Sequence, residues 1–224
     1  LEAANKGMLS STPSIDILNN YAPKDLLLNG IEFFIGVYES DGALRDLLEY
    51  FKGGVFRAEN TKQSEFWNVQ ELSKDIIHEA ILASAALPVM FNGRAVSGKI
   101  YRDGGIGGSG NQSGNTPVQP LVDSGCTHII VTHLNDGSFW NRHDFPGVAF
   151  IEVRPKEFLS NSARDLVAFK PEKINNWIEQ GYLDAKRCIG NVHEARKSID
   201  RNKSKQNSID EILNRLDTDG FDPN

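Results

Sequence analysis

Ser73-Lys-Asp-Ile-Ile-His-Glu-Ala-Ile-Leu-Ala-Ser-Ala-Ala-Leu-Pro-Val-Met-Phe91, followed by Lys99-Ile-Tyr-Arg-Asp-Gly-Gly105, decides how this chain is read. Ile76, Ile77, Ala80, Ile81 and Ala85 recur at helical spacing, Ser73 is a capping residue and Pro88 a stop, so the spacing predicts a helix over 73–86. A hairpin-like stretch leads to a short strand, 99–102, that enters Asp103-Gly104-Gly105. Working outward, 14–20 and 23–28 read as short helices, and the aromatic and β-branched run 31–38 as a strand ended by Ser40-Asp41-Gly42. A helix over 43–51 carries Leu44, Leu47, Leu48 and Phe51 on one face, Gly53-Gly54 closes it, and 55–58 is a short strand. Beyond the site, 107–115 is loop, 117–124 helix, 128–134 a buried strand and 148–153 another strand. Residues 172–199 form an amphipathic helix interrupted near Gly190, and 208–216 a last one. Strands separated by helices, several of them continuously apolar, imply an α/β protein whose sheet is mainly parallel and covered on both faces. In such folds chemistry gathers at strand ends.

The 224 residues, 39% hydrophobic and 24% charged, are enough for one sizeable core. A formal net charge of −6 argues against a surface built to neutralise nucleic acid. The one dense basic stretch, Arg196, Lys197, Arg201, Lys203 and Lys205, is interleaved with Asn, Ser and Gln, which suits a solvated helix face or linker better than an anionic membrane contact. Cys126 and Cys188 have no metal-ligand or disulfide spacing and read as buried thiols. No apolar run reaches the ~18 residues of a membrane span. The chain opens on Leu1, so an earlier segment is expected to precede it.

Ala83-Ser84-Ala85-Ala86-x-Pro88-x-x-Phe91, then a strand ending in Asp103-Gly104-Gly105, resembles the C-terminal half of the patatin-like phospholipases. Asn115-Thr116-Pro117-Val118-Gln119-Pro120-Leu121, Gly125-Cys126-Thr127-His128-Ile129-Ile130-Val131 and Gly181-Tyr182-Leu183-Asp184-Ala185 follow in the family's order. The resemblance covers residues 9–189. It implies a three-layer α/β/α fold, incomplete at the N-terminus, with residues 1–199 as the C-terminal part of an acyl hydrolase domain and 200–224 as polar linker, short helix and tail. It implies a lipid ester substrate met at a membrane surface, no cofactor, a cytoplasmic or membrane-peripheral location, and a missing N-terminal half as partner.

By the same resemblance Asp103 is the base of a serine–aspartate dyad that works without histidine. A serine hydroxyl is a poor nucleophile at neutral pH, and a carboxylate within hydrogen-bond reach can orient it and take its proton. Gly104 and Gly105 are expected to allow a sharp turn and leave room for an acyl chain. The other reading of Asp103 is a turn or helix-cap carboxylate. The family's glycine-rich oxyanion loop and Gly-x-Ser-x-Gly elbow are absent: Ser97 has Ala95 two before it, Ser109 has Asn111 two after it, Ser113 lies between Asn111 and Asn115, and Ser84 sits in the Ala-Ser-Ala-Ala segment, which by the resemblance is structural. This chain alone is therefore expected to be inert: a truncated enzyme first, a non-catalytic patatin-fold lipid- or protein-binding module second.

Gly105-Ile106-Gly107-Gly108-Ser109-Gly110 spells a dinucleotide fingerprint, but no helix is expected at its third glycine, which that fold needs at the pyrophosphate. The longer loop 106–114 reads equally as a flexible cover or a plain insertion. His128 and His133 differ by an odd number on one strand and face opposite sides. His78 and Glu79 read as solvent-facing helix polarity, and Asp217, Asp219 and Asp222 as a polar tail that fails the calcium-loop template.

Overall fold

A computed structural model describes residues 7–56, 62–107, 114, 116–134, 141–157, 159 and 170–218. The protein is mixed α/β, and the chain divides into two compact units, 1–129 with 137–150, and 130–136 with 151–224.

The first unit is organised by a four-stranded sheet. β1 (Phe34–Glu39), β2 (Glu65–Asn68), β3 (Arg94–Val96) and β4 (Lys99–Asp103) stand in the order β2-β1-β4-β3. All three pairings are antiparallel, with Val37 opposite both Glu65 and Asp103, and Tyr101 opposite both Glu39 and Arg94. This corrects the mainly parallel sheet expected from sequence. The apolar run of β1 is indeed covered on both faces, but that coverage carries no information about direction. β3 and β4 are a hairpin turning at Ser97 and Gly98, both at positive φ (49° and 81°), the two-residue geometry that matches strand twist.

One sheet face holds the core. Ile35, Val37, Val96 and Tyr101 from the strands pack with Val69 and with Ile77, Ala80 and Ala83 of the helix between β2 and β3, and Trp67 meets Tyr101 edge to face at 4.6 Å. Ahead of the sheet lie α1 (Thr12–Tyr21) and α2 (Lys24–Leu28), and α3 (Ala43–Phe56) follows β1. α3 runs through Gly53-Gly54, so the expected stop and the helical part of the strand expected at 55–58 are both overturned; residues 57 and 58 lie outside the described residues. Among its described side chains, 43–49, Ala43 and Asp46 are buried, Leu47 is half-buried and Leu44 and Leu48 are exposed, so two residues of the stripe read from sequence face outward; Phe51 lies outside the described side chains.

The core helix, α4, spans Ile77–Ser84, shorter than expected. Ser73 does not cap it. Its carbonyl instead accepts the Ile76 N–H at 3.1 Å in a preceding turn. His78 is buried and its Nε2 lies 3.0 Å from the Ala22 carbonyl oxygen, so it ties α4 to the end of α1 instead of facing solvent.

After α4 the chain makes a turn in which Phe91 N–H reaches the Leu87 carbonyl at 3.0 Å. Val89 sits in that turn at φ 69°, a left-handed conformation that crowds a β-branched residue. Met8 N–H bonds its carbonyl at 3.0 Å and Leu9 N–H that of Met90 at 2.9 Å, so neighbouring chain holds it there. Val89 is 42% exposed, so changing it removes only part of a buried side chain. Val89→Asn is expected to stabilise the protein by about 1 kcal/mol through relief of this conformation, read from urea unfolding of the two chains.

α5 (Val118–Asp123) follows, then β5 (His128–Thr132) and β6 (Ala149–Val153). These two strands form a separate sheet. Ala149 N–H bonds the Thr127 carbonyl at 2.8 Å and His133 N–H that of Val153 at 3.0 Å, an advance along both strands in the same sense, as in a parallel pair. β5 alternates exposed and buried residues and is not buried throughout. Cys126 is exposed, against expectation; Cys188 is half-buried with its thiol 3.3 Å from the Glu152 carbonyl oxygen.

In the second unit, α6 (Pro171–Thr218) is one helix of 48 residues. The expected interruption at Gly190 and the polar linker over 200–207 are both helical. Its first half is anchored: Trp177 Nε1–H donates to the Leu159 carbonyl at 2.7 Å, and buried Asp184 accepts the Lys156 N–H at 3.0 Å and pairs with Arg187 at 2.9 Å. No helix among the described residues is long and apolar enough to cross a membrane.

Candidate active site

Asp103 is the last residue of β4, an interior strand. Its N–H reaches the Ala86 carbonyl at 3.3 Å, so the Ala-Ser-Ala-Ala segment and the strand end are joined through backbone. Gly104–Ile106 follow as one 3-10 turn, and Asp103 Oδ1 accepts the Gly105 N–H at 2.7 Å. The carboxylate therefore does cap a turn. Oδ2 has no hydrogen-bond donor among the described residues, and no cation pairs with the group there.

Strand alternation explains that isolation. Arg102 projects to the opposite sheet face, where its Nε lies 3.1 Å from Asp46 Oδ2 and its Nη1 donates to the Phe91 carbonyl at 3.0 Å. Asp46 also accepts Ser40 Oγ–H and the Asp41 N–H. The guanidinium is thus engaged by a buried partner, and no cation among the described residues compensates Asp103. Burial raises the Asp103 carboxyl to about 6, and the Gly105 N–H, which favours the ionised form, only partly offsets it.

Gly104 has a different reason from the one expected. A Cβ there would lie 2.5 Å from the Gly36 carbonyl carbon in β1, and a Cβ on Gly114 would lie 1.9 Å from the Gly104 oxygen. The Gly104 carbonyl also accepts Ser64 Oγ–H. Here backbone packs on backbone, so Gly104 is required by close approach, and no acyl-chain room is needed to explain it. Gly105 is buried beside it and supplies the N–H to Asp103. Gly36 was missed, although a glycine inside an apolar strand is itself a signal of close approach. Asp46, the partner of Arg102, was missed as well, since no local pattern links the two.

Ser84 is half-buried at the end of α4. Ser97 is in the β3–β4 turn. Ser109 and Ser113, with most of loop 106–114 and the third glycine of the fingerprint-like run, lie outside the described residues. So do Asp219 and Asp222. His128 is exposed and His133 buried, where His133 Nε2 meets Glu152 Oε2 at 3.0 Å and Arg154 holds the same carboxylate. Among the described residues no group of three or more His, Cys, Asp or Glu is placed to hold a metal.

No family model matches the chain, and neither does any curated protein or solved structure compared with it.

The raised carboxyl has a stability consequence. Its folded-state value lies above the ordinary 3.8, so the native state binds this proton more tightly than the unfolded state does. Its contribution is greatest when protonated and is lost as pH rises from about 4 through about 6. Asp103→Asn keeps an acceptor for Gly105 and removes the buried charge. It is expected to be more stable than the parent at about pH 8, by on the order of 2 kcal/mol. The gap should close towards pH 4. Urea unfolding across that range checks it; a variant less stable at every pH contradicts it.

Proposed function

We propose that this chain is the acid-bearing part of a lipid acyl hydrolase of the patatin-like class. In this reading Asp103 accepts the proton of a serine hydroxyl carried by the part of the fold that precedes residue 9. The observation that carries it is the carboxyl at the end of β4, half-buried, without a cation among the described residues, and raised to about 6. A base of that strength is mostly ionised at neutral pH yet takes a proton more readily than an ordinary aspartate, which is the compromise general-base catalysis needs.

The reaction follows from those parts. The serine oxygen attacks the ester carbonyl while its proton passes to Asp103. The tetrahedral species collapses with release of the alcohol, which recovers the proton, and water then cleaves the acyl-enzyme by the same route. Gly105 N–H and the Asp103 backbone bond to Ala86 hold the carboxylate in one orientation during these transfers. The substrate is a lipid ester presented at a membrane surface. The three-layer arrangement belongs to this reading too, with the four-stranded sheet antiparallel and the β5–β6 pair parallel.

In the intact protein, Asp103→Asn is expected to lower kcat for p-nitrophenyl acyl esters on the order of 10³- to 10⁴-fold while the fold is retained. Equal activity in the two proteins ends the proposal. The 224-residue chain treated alone with a fluorophosphonate probe is expected to stay unlabelled, because no serine in it has the elbow's setting. Specific labelling would assign the nucleophile to this chain and overturn the split dyad.

A further inference from the structure

α6 is about 72 Å long at 1.5 Å per residue. Its packed positions, among them Trp177, Asp184 and Cys188, all lie in the first half. From residue 189 to residue 215 every side chain is exposed. A helix of that length in water has little to stabilise it beyond local pairs, such as Lys197 with Glu194 at 3.0 Å. Yet its apolar residues are not scattered. Val192, Ile199 and Leu213 fall at one heptad position, a, and Ala195 and Ile209 at the other core position, d, with Asn202 and Gln206 filling the two central places and exposed Ile212 flanking the seam at g. Ile199 and Leu213 are each more than half exposed.

We infer that residues 192–213 pair with the same segment of a second copy of this chain as a parallel, in-register, two-stranded coiled coil. The sequence is complementary to itself in that register. Apolar layers meet their own copies at 192, 199, 209 and 213, and the polar layers at 202 and 206 set amide against amide, the kind of buried polar pairing that fixes register at some expense of stability. Lys205 falls at the g position and Asp210 at the following e position, so each Lys205 faces the partner's Asp210, a pair made twice in the dimer. The positions turned away from the seam, Lys197, Ser204 and Glu211, are polar. A helix lying on a membrane would put Asn202 and Gln206 in the middle of its lipid face, where an amide has no partner. A paired seam gives each amide another amide.

The experiment is sedimentation equilibrium of the full 224-residue chain over a range of micromolar concentrations. Twice the chain mass is expected, and a chain that stays monomeric throughout overturns the inference. Ile199→Lys with Leu213→Lys buries charge in the seam and is expected to weaken association about 100-fold or more. Both side chains are exposed in the single chain, so its fold should be untouched, with near-ultraviolet circular dichroism as the check. A dimer that survives this pair of changes lies elsewhere and overturns it. Ser204→Lys, on the outward face, should leave association unchanged. Lys205→Glu should weaken it severalfold and Asp210→Lys should restore it. In a Cys126→Ser background, Ile199→Cys is expected to form an interchain disulfide under mild oxidation; a dimer that resists this link rules out the in-register arrangement. Binding of phosphatidylserine vesicles by a monomer, lost on Ile199→Lys with Leu213→Lys, would assign the stripe to a membrane surface and also overturn it.

Discussion

The ion pair between Arg102 and Asp46, both almost wholly buried, is the constraint around which the first unit is arranged. Burial depresses the guanidinium and Asp46 opposes that effect, so neither group is comfortable without the other. Such a pair adds little net stability, because desolvating two charges offsets most of their attraction. Its leverage is in geometry. One residue of an interior strand is bound to the first turn of α3, to the Ser40–Asp41 segment that starts that helix, and through Phe91 to the turn containing Val89. Any arrangement that separates these elements leaves a charge in an apolar interior, and breaking such a pair typically costs about 3–5 kcal/mol. Alternative packings are therefore penalised far more than the native one is rewarded.

The same pair determines the electrostatics one residue further on. Arg102 and Asp103 are adjacent in sequence and would neutralise each other in a loop or at a surface. A β-strand separates them by sending successive side chains to opposite faces. Once Arg102 is committed to Asp46, the one donor that Asp103 meets among the described residues is the Gly105 N–H. The backbone there cannot shift to expose it, because Gly104 already packs against Gly36 and its carbonyl against Ser64 and Gly114. A strand end locked by glycines and an arginine turned the other way together produce one carboxyl of raised basicity.

Much of this was legible in sequence, and the failures have identifiable causes. The strand entering Asp103, the hairpin before it and the helix over 118–123 follow from apolar spacing and turn residues and lie where those patterns put them. Direction was not legible. Continuous burial suggests parallel strands, but α4 on one face and the Arg102–Asp46 pair on the other bury β1 equally well in an antiparallel sheet. Gly53-Gly54 reads as a stop and Gly190 as an interruption, whereas a helix interior glycine costs only about 1 kcal/mol and does not block the next hydrogen bond. β2 was overlooked although Phe66-Trp67 carries a strand signal. The heptad from Val192 onward was hidden because its two central positions are polar, so the segment looked like linker.

Asp103 leaves two readings of a single group to be weighed physically. A cap explains its Oδ1 contact with Gly105 in full, and serine or asparagine would serve a cap equally well. Neither would bring a charge into an apolar setting. An exposed capping carboxylate is held below its ordinary value by the N–H it accepts, whereas here burial outweighs that bond and the shift is upward. The turn therefore has no structural need for the ionisable group it contains, and keeping one makes the folded state less stable at neutral pH than a neutral cap would. Groups held at a loss in this way are the ones whose basicity is worth asking about, and this one stands at a strand end with an oxygen not engaged by any donor among the described residues.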